Sequence, residues 1–130
     1  MEAITKKYFG RYKVPLSEVP NLVEMQKSSY DWLVREGLAE VFKEFSPIRD
    51  YSGKKFELEF AGFELTPPRF DEHFARENKL SLETPLRARV KLTNKTLGIV
   101  KEQEIFMADF PLATARGTFI VNGVERVVVP

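Results

Sequence analysis

Between Thr84 and Thr93 the chain alternates, with Leu86, Ala88, Val90 and Leu92 apolar against Arg87, Arg89 and Lys91 basic. A two-residue period puts these sets on opposite faces of an extended strand, a separation that no helix produces. A strand with one oily and one wet face calls for an antiparallel sheet and a cover for its oily side. The segment before it fits as a partner. Phe56, Leu58 and Phe60 alternate with Lys55, Glu57 and Glu59, and Gly62 then shifts the phase so that Phe63 and Leu65 take the apolar positions. That shift predicts a bulge at Ala61-Gly62, and Pro67-Pro68 ends the strand. Thr93-Asn94-Lys95-Thr96 is turn material, after which Leu97 to Met107 can return antiparallel until Asp109-Phe110-Pro111 stops the run. Asn122-Gly123, between Gly117–Val121 and Val124–Val129, reads as a tight hairpin because both residues accept positive φ.

Ahead of the sheet the period becomes helical. Asn21 as N-cap, with Glu24 three residues on, predicts a helix start. Leu22, Met25, Ser29, Trp32 and Leu33 then recur on one face, and Gly37 supplies a left-handed stop. Leu38, Val41, Phe42 and Phe45 continue as a second helix before Pro47, and the aromatic stripe is expected to bury against the sheet. Asp71 opens a short helix through Glu77. The reading is one α+β domain over 1–130: an irregular leader over 1–19, helices over 20–45, and mainly β structure over 55–129. The N-terminal helices pack on a largely antiparallel β-sheet with a C-terminal β-hairpin. Val127-Val128-Val129-Pro130 stops inside an apolar β run, so the chain is expected to continue beyond it.

Composition narrows the chemistry. There is no cysteine and a single histidine, His73, so thiolate nucleophiles, disulfides and multi-histidine metal sites are excluded. A net charge of +1 lacks the basic excess of a free-standing nucleic-acid binder. No N-terminal apolar run reads as a secretory signal and no stretch reaches membrane-spanning length, which makes the cytoplasm the expected compartment. Glu102 with Glu104, and Glu57 with Glu59, are i, i+2 pairs that share a strand face, the usual lining of a polar face. Asp109 reads as a turn residue and His73 as a surface residue. No phosphate-binding or nucleophile-elbow motif occurs, so no catalytic, cofactor or metal residues are assigned. Arg87, Arg89 and Lys91 could meet phosphates or another subunit, or form a solvated face neutralised by neighbouring acids. Arg116 and Arg126 are further candidates for a polyanion or for a carboxylate partner.

The segment Val100 to Val129, with Lys101-Glu102-Gln103-Glu104, Phe110-Pro111-Leu112, Gly117-Thr118-Phe119, Asn122-Gly123 and Glu125-Arg126, resembles the N-terminal part of the β subunit of bacterial DNA-directed RNA polymerase. Upstream, Val19-Pro20-Asn21-Leu22, Ser29-Tyr30-Asp31-Trp32, Ser46-Pro47-Ile48 with Asp50 and Gly53, and Thr84-Pro85-Leu86 follow the family order. Ala108 stands where the family usually has glycine, Ala113 where it often has methionine, and Pro130 where it usually has serine. The resemblance implies the first segment of the β protrusion, a wall of the polymerase cleft without catalytic residues. The implied partners are the β-prime, α and σ subunits, with DNA met only in the assembled complex and no membrane. It also implies that Val100, Lys101 and Glu102 occupy the edge where a transcription-repair coupling factor or CarD-like regulator adds a strand. The same charges would equally protect an edge from aggregation. A free-standing adaptor working by strand addition and a weak nucleic-acid-binding module are the alternative readings.

Overall fold

The computed structural model describes residues 7, 9, 10 and 17–129, so most of the leader read over 1–19, and Pro130, lie outside it. Helix α1 (Glu24–Trp32) passes through a π turn (Leu33–Gly37) directly into α2 (Leu38–Phe45). Two helix signals resolve differently from the sequence reading. Asn21 is not the N-cap: its Oδ1 accepts from the Val23 amide at 3.2 Å, closing a turn upstream, and Val23 caps without a side-chain bond. Short polar side chains make such local turns as readily as caps. Gly37 is not a left-handed stop either, since its φ is −59°. A Cβ there would stand 3.0 Å from Trp32 Cζ3 and 3.1 Å from Leu33 Cδ1, so any larger residue would push on both side chains.

Strands β1 (Ile48–Arg49), β2 (Phe56–Leu65), β3 (Glu83–Asn94) and β4 (Ile99–Pro111) form an antiparallel sheet in sequence order. The β2/β3 register shifts between Phe60 and Gly62, the bulge that Gly62 signals. Strand β4 runs on through Asp109 to Pro111, with Asp109 opposite Pro85, so Asp109 is a strand residue rather than a turn residue. Thr84 holds the start of β3 by donating its hydroxyl to the Thr66 carbonyl.

Leu86, Ala88 and Val90 are buried, opposite Leu65, Phe63 and Phe60 of β2. From α2, Phe42 packs on Phe60 and Phe63 with ring centroids 5.2 and 5.5 Å away. The rest of the aromatic stripe stays wetter than expected: Trp32 and Phe45 are exposed, and so are Leu22 and Met25 before them. Instead of an apolar face, Tyr30 anchors α1. Its hydroxyl donates to the Pro111 carbonyl at 2.8 Å, and its ring meets Phe110 and Phe119.

A second cluster forms where the chain returns. Helix α3 (Glu72–Glu77) starts at Asp71, whose Oδ1 accepts from the Phe74 amide at 2.8 Å. It ends in a Schellman motif: the Leu80 amide bonds the Ala75 carbonyl, the Lys79 amide bonds the Arg76 carbonyl, and Lys79 takes φ 55°. The hairpin of β5 (Phe119–Val121) and β6 (Val124–Arg126) turns on Asn122 (φ 52°) and Gly123 (φ 80°), the conformations a tight two-residue turn requires. Ala75, Leu82 and Ile120 are buried together, with Phe70 and Leu112 against them. The architecture is α+β.

Candidate docking edge

In the order β1-β2-β3-β4, β4 pairs with β3 on one side and presents its other edge unpaired among the described residues. Residues 99–104 are all exposed, Val100 at 59%. The register sets Val100 opposite Thr93, Lys101 opposite Leu92 and Glu102 opposite Lys91. Val100 and Glu102 therefore lie on the charged face of the sheet and Lys101 on its apolar face. There Lys101 joins Phe56, Leu92, Leu97 and Ile99 around a shallow apolar hollow. An edge of this kind offers main-chain donors and acceptors to an extended segment, with side chains on two faces to select it.

The basic stripe is not free. Arg87 Nη1 lies 3.2 Å from Glu104 Oε1, Arg89 Nε lies 4.0 Å from Glu102 Oε1, and Lys91 stands between Glu59 and Glu102 in the register. Exposed pairs contribute little stability each, but an acid beside each of the three bases weakens the field a phosphate would feel. The same contacts engage Glu102 and Glu104. His73 is exposed and faces Glu77 at 3.5 Å. Among the described residues no group of three acidic or histidine side chains is placed to hold a metal ion.

Arg116 and Arg126 part company. Arg116 bonds Glu125 and Glu72, each at 2.8 Å, while Arg76 lies 3.3 Å from Glu125 and 3.8 Å from Glu72. This alternating ring ties α3, the loop before β5 and the hairpin together, with Arg116 held between two carboxylates. Its two halves, Glu72 with Arg76 on α3 and Arg116 with Glu125 around the hairpin, lie far apart in sequence, and of the four only Arg116 is a candidate contact residue there. Arg126 opposes Phe119 and lines an apolar groove with Pro111, Val127 and Val128.

The Glu125 carboxyl is held below its ordinary value of 4.5, first by the Thr118 hydroxyl and then by Arg116. Glu57 is lowered by its bond from Lys95 at 2.7 Å, and Asp50 by the Ser52 hydroxyl at 2.6 Å. A carboxylate depressed by folding stabilises the native state above its unfolded pKa, and that stabilisation is lost as pH falls through the folded value. The melting temperature of the wild type should therefore fall as pH drops below about 4.5. Glu125→Gln should melt lower at neutral pH and flatten part of that drop. An acid limb identical to wild type would show that the ring does not contribute.

No family model matches the chain. Individual relatives do. It is 53% identical over 112 residues to the DNA-directed RNA polymerase subunit beta of Geobacillus thermodenitrificans (strain NG80-2), a match covering 86% of this chain and 9% of that protein. To the same subunit of Clostridioides difficile (strain 630) it is 47% identical over 126 residues, covering 96% of this chain and 10% of the relative. The subunit of Lysinibacillus sphaericus (strain C3-41) gives 47% over 124 residues, 95% and 10%. The chain belongs with the β subunits of DNA-directed RNA polymerase. It spans about a tenth of the length of these curated relatives. Several residues that carry the resemblance to the β subunit hold the fold: Phe110 lies under Tyr30, Asn122-Gly123 makes the turn, and Glu125 closes the charge ring. None of the described helices is long and apolar enough to cross a membrane.

Proposed function

We propose that this β-subunit segment is the first part of the protrusion, a non-catalytic piece of the polymerase cleft wall whose outer strand β4 is a docking edge for regulators. It acts in the cytoplasm, assembled with the rest of β and with the β-prime, α and σ subunits, and meets DNA only in that assembly. Its partner at β4 is the small β module of a transcription-repair coupling factor or of a CarD-like regulator. That module adds a strand beside Val100, Lys101 and Glu102. The observation that carries this reading is the unpaired, fully exposed stretch of β4 in which those residues lie. The ion-paired state of Arg87 and Arg89 counts against independent nucleic-acid binding.

The test is a binding titration of the chain against the purified polymerase-interacting module of a coupling factor, compared with Lys101→Ala/Glu102→Ala. Loss of two selecting side chains should weaken binding about tenfold or more, on the scale of one or two interfacial contacts. Equal affinity for a folded double variant would move the docking site elsewhere.

A further inference from the structure

Strand β4 is 13 residues long, exposed and unpaired on one side, with apolar side chains at both ends of its outer stretch. Long edges of this kind template pairing with their own copies. We infer that the order Lys101-Glu102-Gln103-Glu104 makes the β4 edge reject a second copy of this chain while leaving it open to a different strand.

Two identical edges that pair antiparallel are related by a two-fold axis perpendicular to the sheet. Opposed residues must also point to the same face. Only registers centred on a residue meet both conditions. Centring on Lys101 sets that lysine against itself, and centring on Glu102 or Glu104 does the same for each glutamate. The register centred on Gln103 is the one the apolar flanks favour, because it sets Val100 against Phe106 twice, both 59% exposed. That register also sets Glu102 against Glu104 twice, on the same face as the Val100–Phe106 pairs. Directly opposed like charges destabilise a strand pair, so all four registers centred within Lys101–Glu104 are penalised, the apolar one by four carboxylates; registers centred on either side of that stretch run into the turn before Ile99 or the irregularity at Met107. A foreign strand has no such symmetry and escapes the penalty. This inference does not depend on which regulator docks, or on whether any does.

The pattern predicts that single substitutions create dimers. With Glu102→Lys the Gln103-centred register places the introduced lysine opposite Glu104 twice, and Glu104→Lys does the same with the roles exchanged. Sedimentation equilibrium at low salt should give each single variant a dimer Kd at least tenfold below that of the wild type, with the gain lost in high salt. Glu102→Gln, which perturbs the sheet least, should tighten by a smaller factor. Glu102→Lys/Glu104→Lys opposes lysine to lysine and should gain nothing alone, yet should pair one-to-one with the wild type. Circular dichroism establishes that each variant is folded. Folded single variants no tighter than wild type, or a double variant that self-associates as they do, would overturn the inference.

Discussion

Replacing Gly123 by alanine is expected to detach the β5–β6 hairpin from α3 and to lower stability by about 3 kcal/mol, combining a left-handed penalty with overpacking. Two causes meet at this position. Its φ of 80° is one that L side chains rarely adopt, and a Cβ would stand 2.8 Å from Lys79 Cα and 3.0 Å from the Arg76 carbonyl oxygen. Both neighbours are backbone at the end of α3, fixed by the Schellman bonds, so neither can swing away. Asn122, beside it in the turn at φ 52°, tolerates that conformation through its short polar side chain, so Asn122→Gly should change stability little. The measurement is the denaturant midpoint, with hydrogen exchange at the Gly123 and Leu82 amides, which bond the Leu80 and Ile120 carbonyls at 2.9 Å each. A loss under about 1 kcal/mol, less than the left-handed penalty alone, would mean that the α3 end yields.

The second large effect is expected at Ile120. It is 1% exposed and packs with Ala75 and Leu82, with Phe70 and Leu112 against them. Truncation to alanine removes buried methyl groups and leaves a cavity that a helix end, a loop and a hairpin cannot jointly close, costing about 2–5 kcal/mol. Ile120→Val should cost about 1 kcal/mol. Leu92 offers the contrast: it belongs to the same kind of apolar strand face but is 41% exposed. Leu92→Ala should cost well under half as much as Ile120→Ala. Denaturant unfolding of the three variants gives the ranking, and equal losses at Ile120 and Leu92 would sink the claim that burial sets the difference between them.

These contrasts mark what was legible in the sequence. Local periods were: the alternation in β3, the phase shift at Gly62 and the Asn122-Gly123 turn all come from residues within a few positions of one another. The placement of Val100, Lys101 and Glu102 on a strand was legible in the same way, and the register adds that their side chains divide between two faces. What sequence reasoning missed depends on which side chains meet in space, which periodicity alone does not encode. Gly37 carried the signature of a helix stop, but the Trp32 ring competes for that space and the helix continues. The stripe of Trp32, Phe42 and Phe45 has helical spacing, yet only Phe42 meets the sheet rings. The ring of Glu72, Arg76, Arg116 and Glu125 shows in the sequence only as the i, i+4 pair of Glu72 and Arg76, since the contacts that close it join α3 to the hairpin and the loop before it across a whole sheet's worth of chain.

The π turn over Leu33–Gly37 constrains how the two ends of the long helix can vary. A wide turn holds one more residue than its neighbours, so the segments on either side do not share an angular phase. Tyr30 points to the Pro111 carbonyl and Phe42 to the sheet, and each bearing is set locally. Removing a single residue from the wide turn would restore ordinary winding and swing one end about 100° against the other. The helix is in effect keyed at two separate angles, and its length between Tyr30 and Phe42 is fixed to the residue even where the side chains there are free to drift.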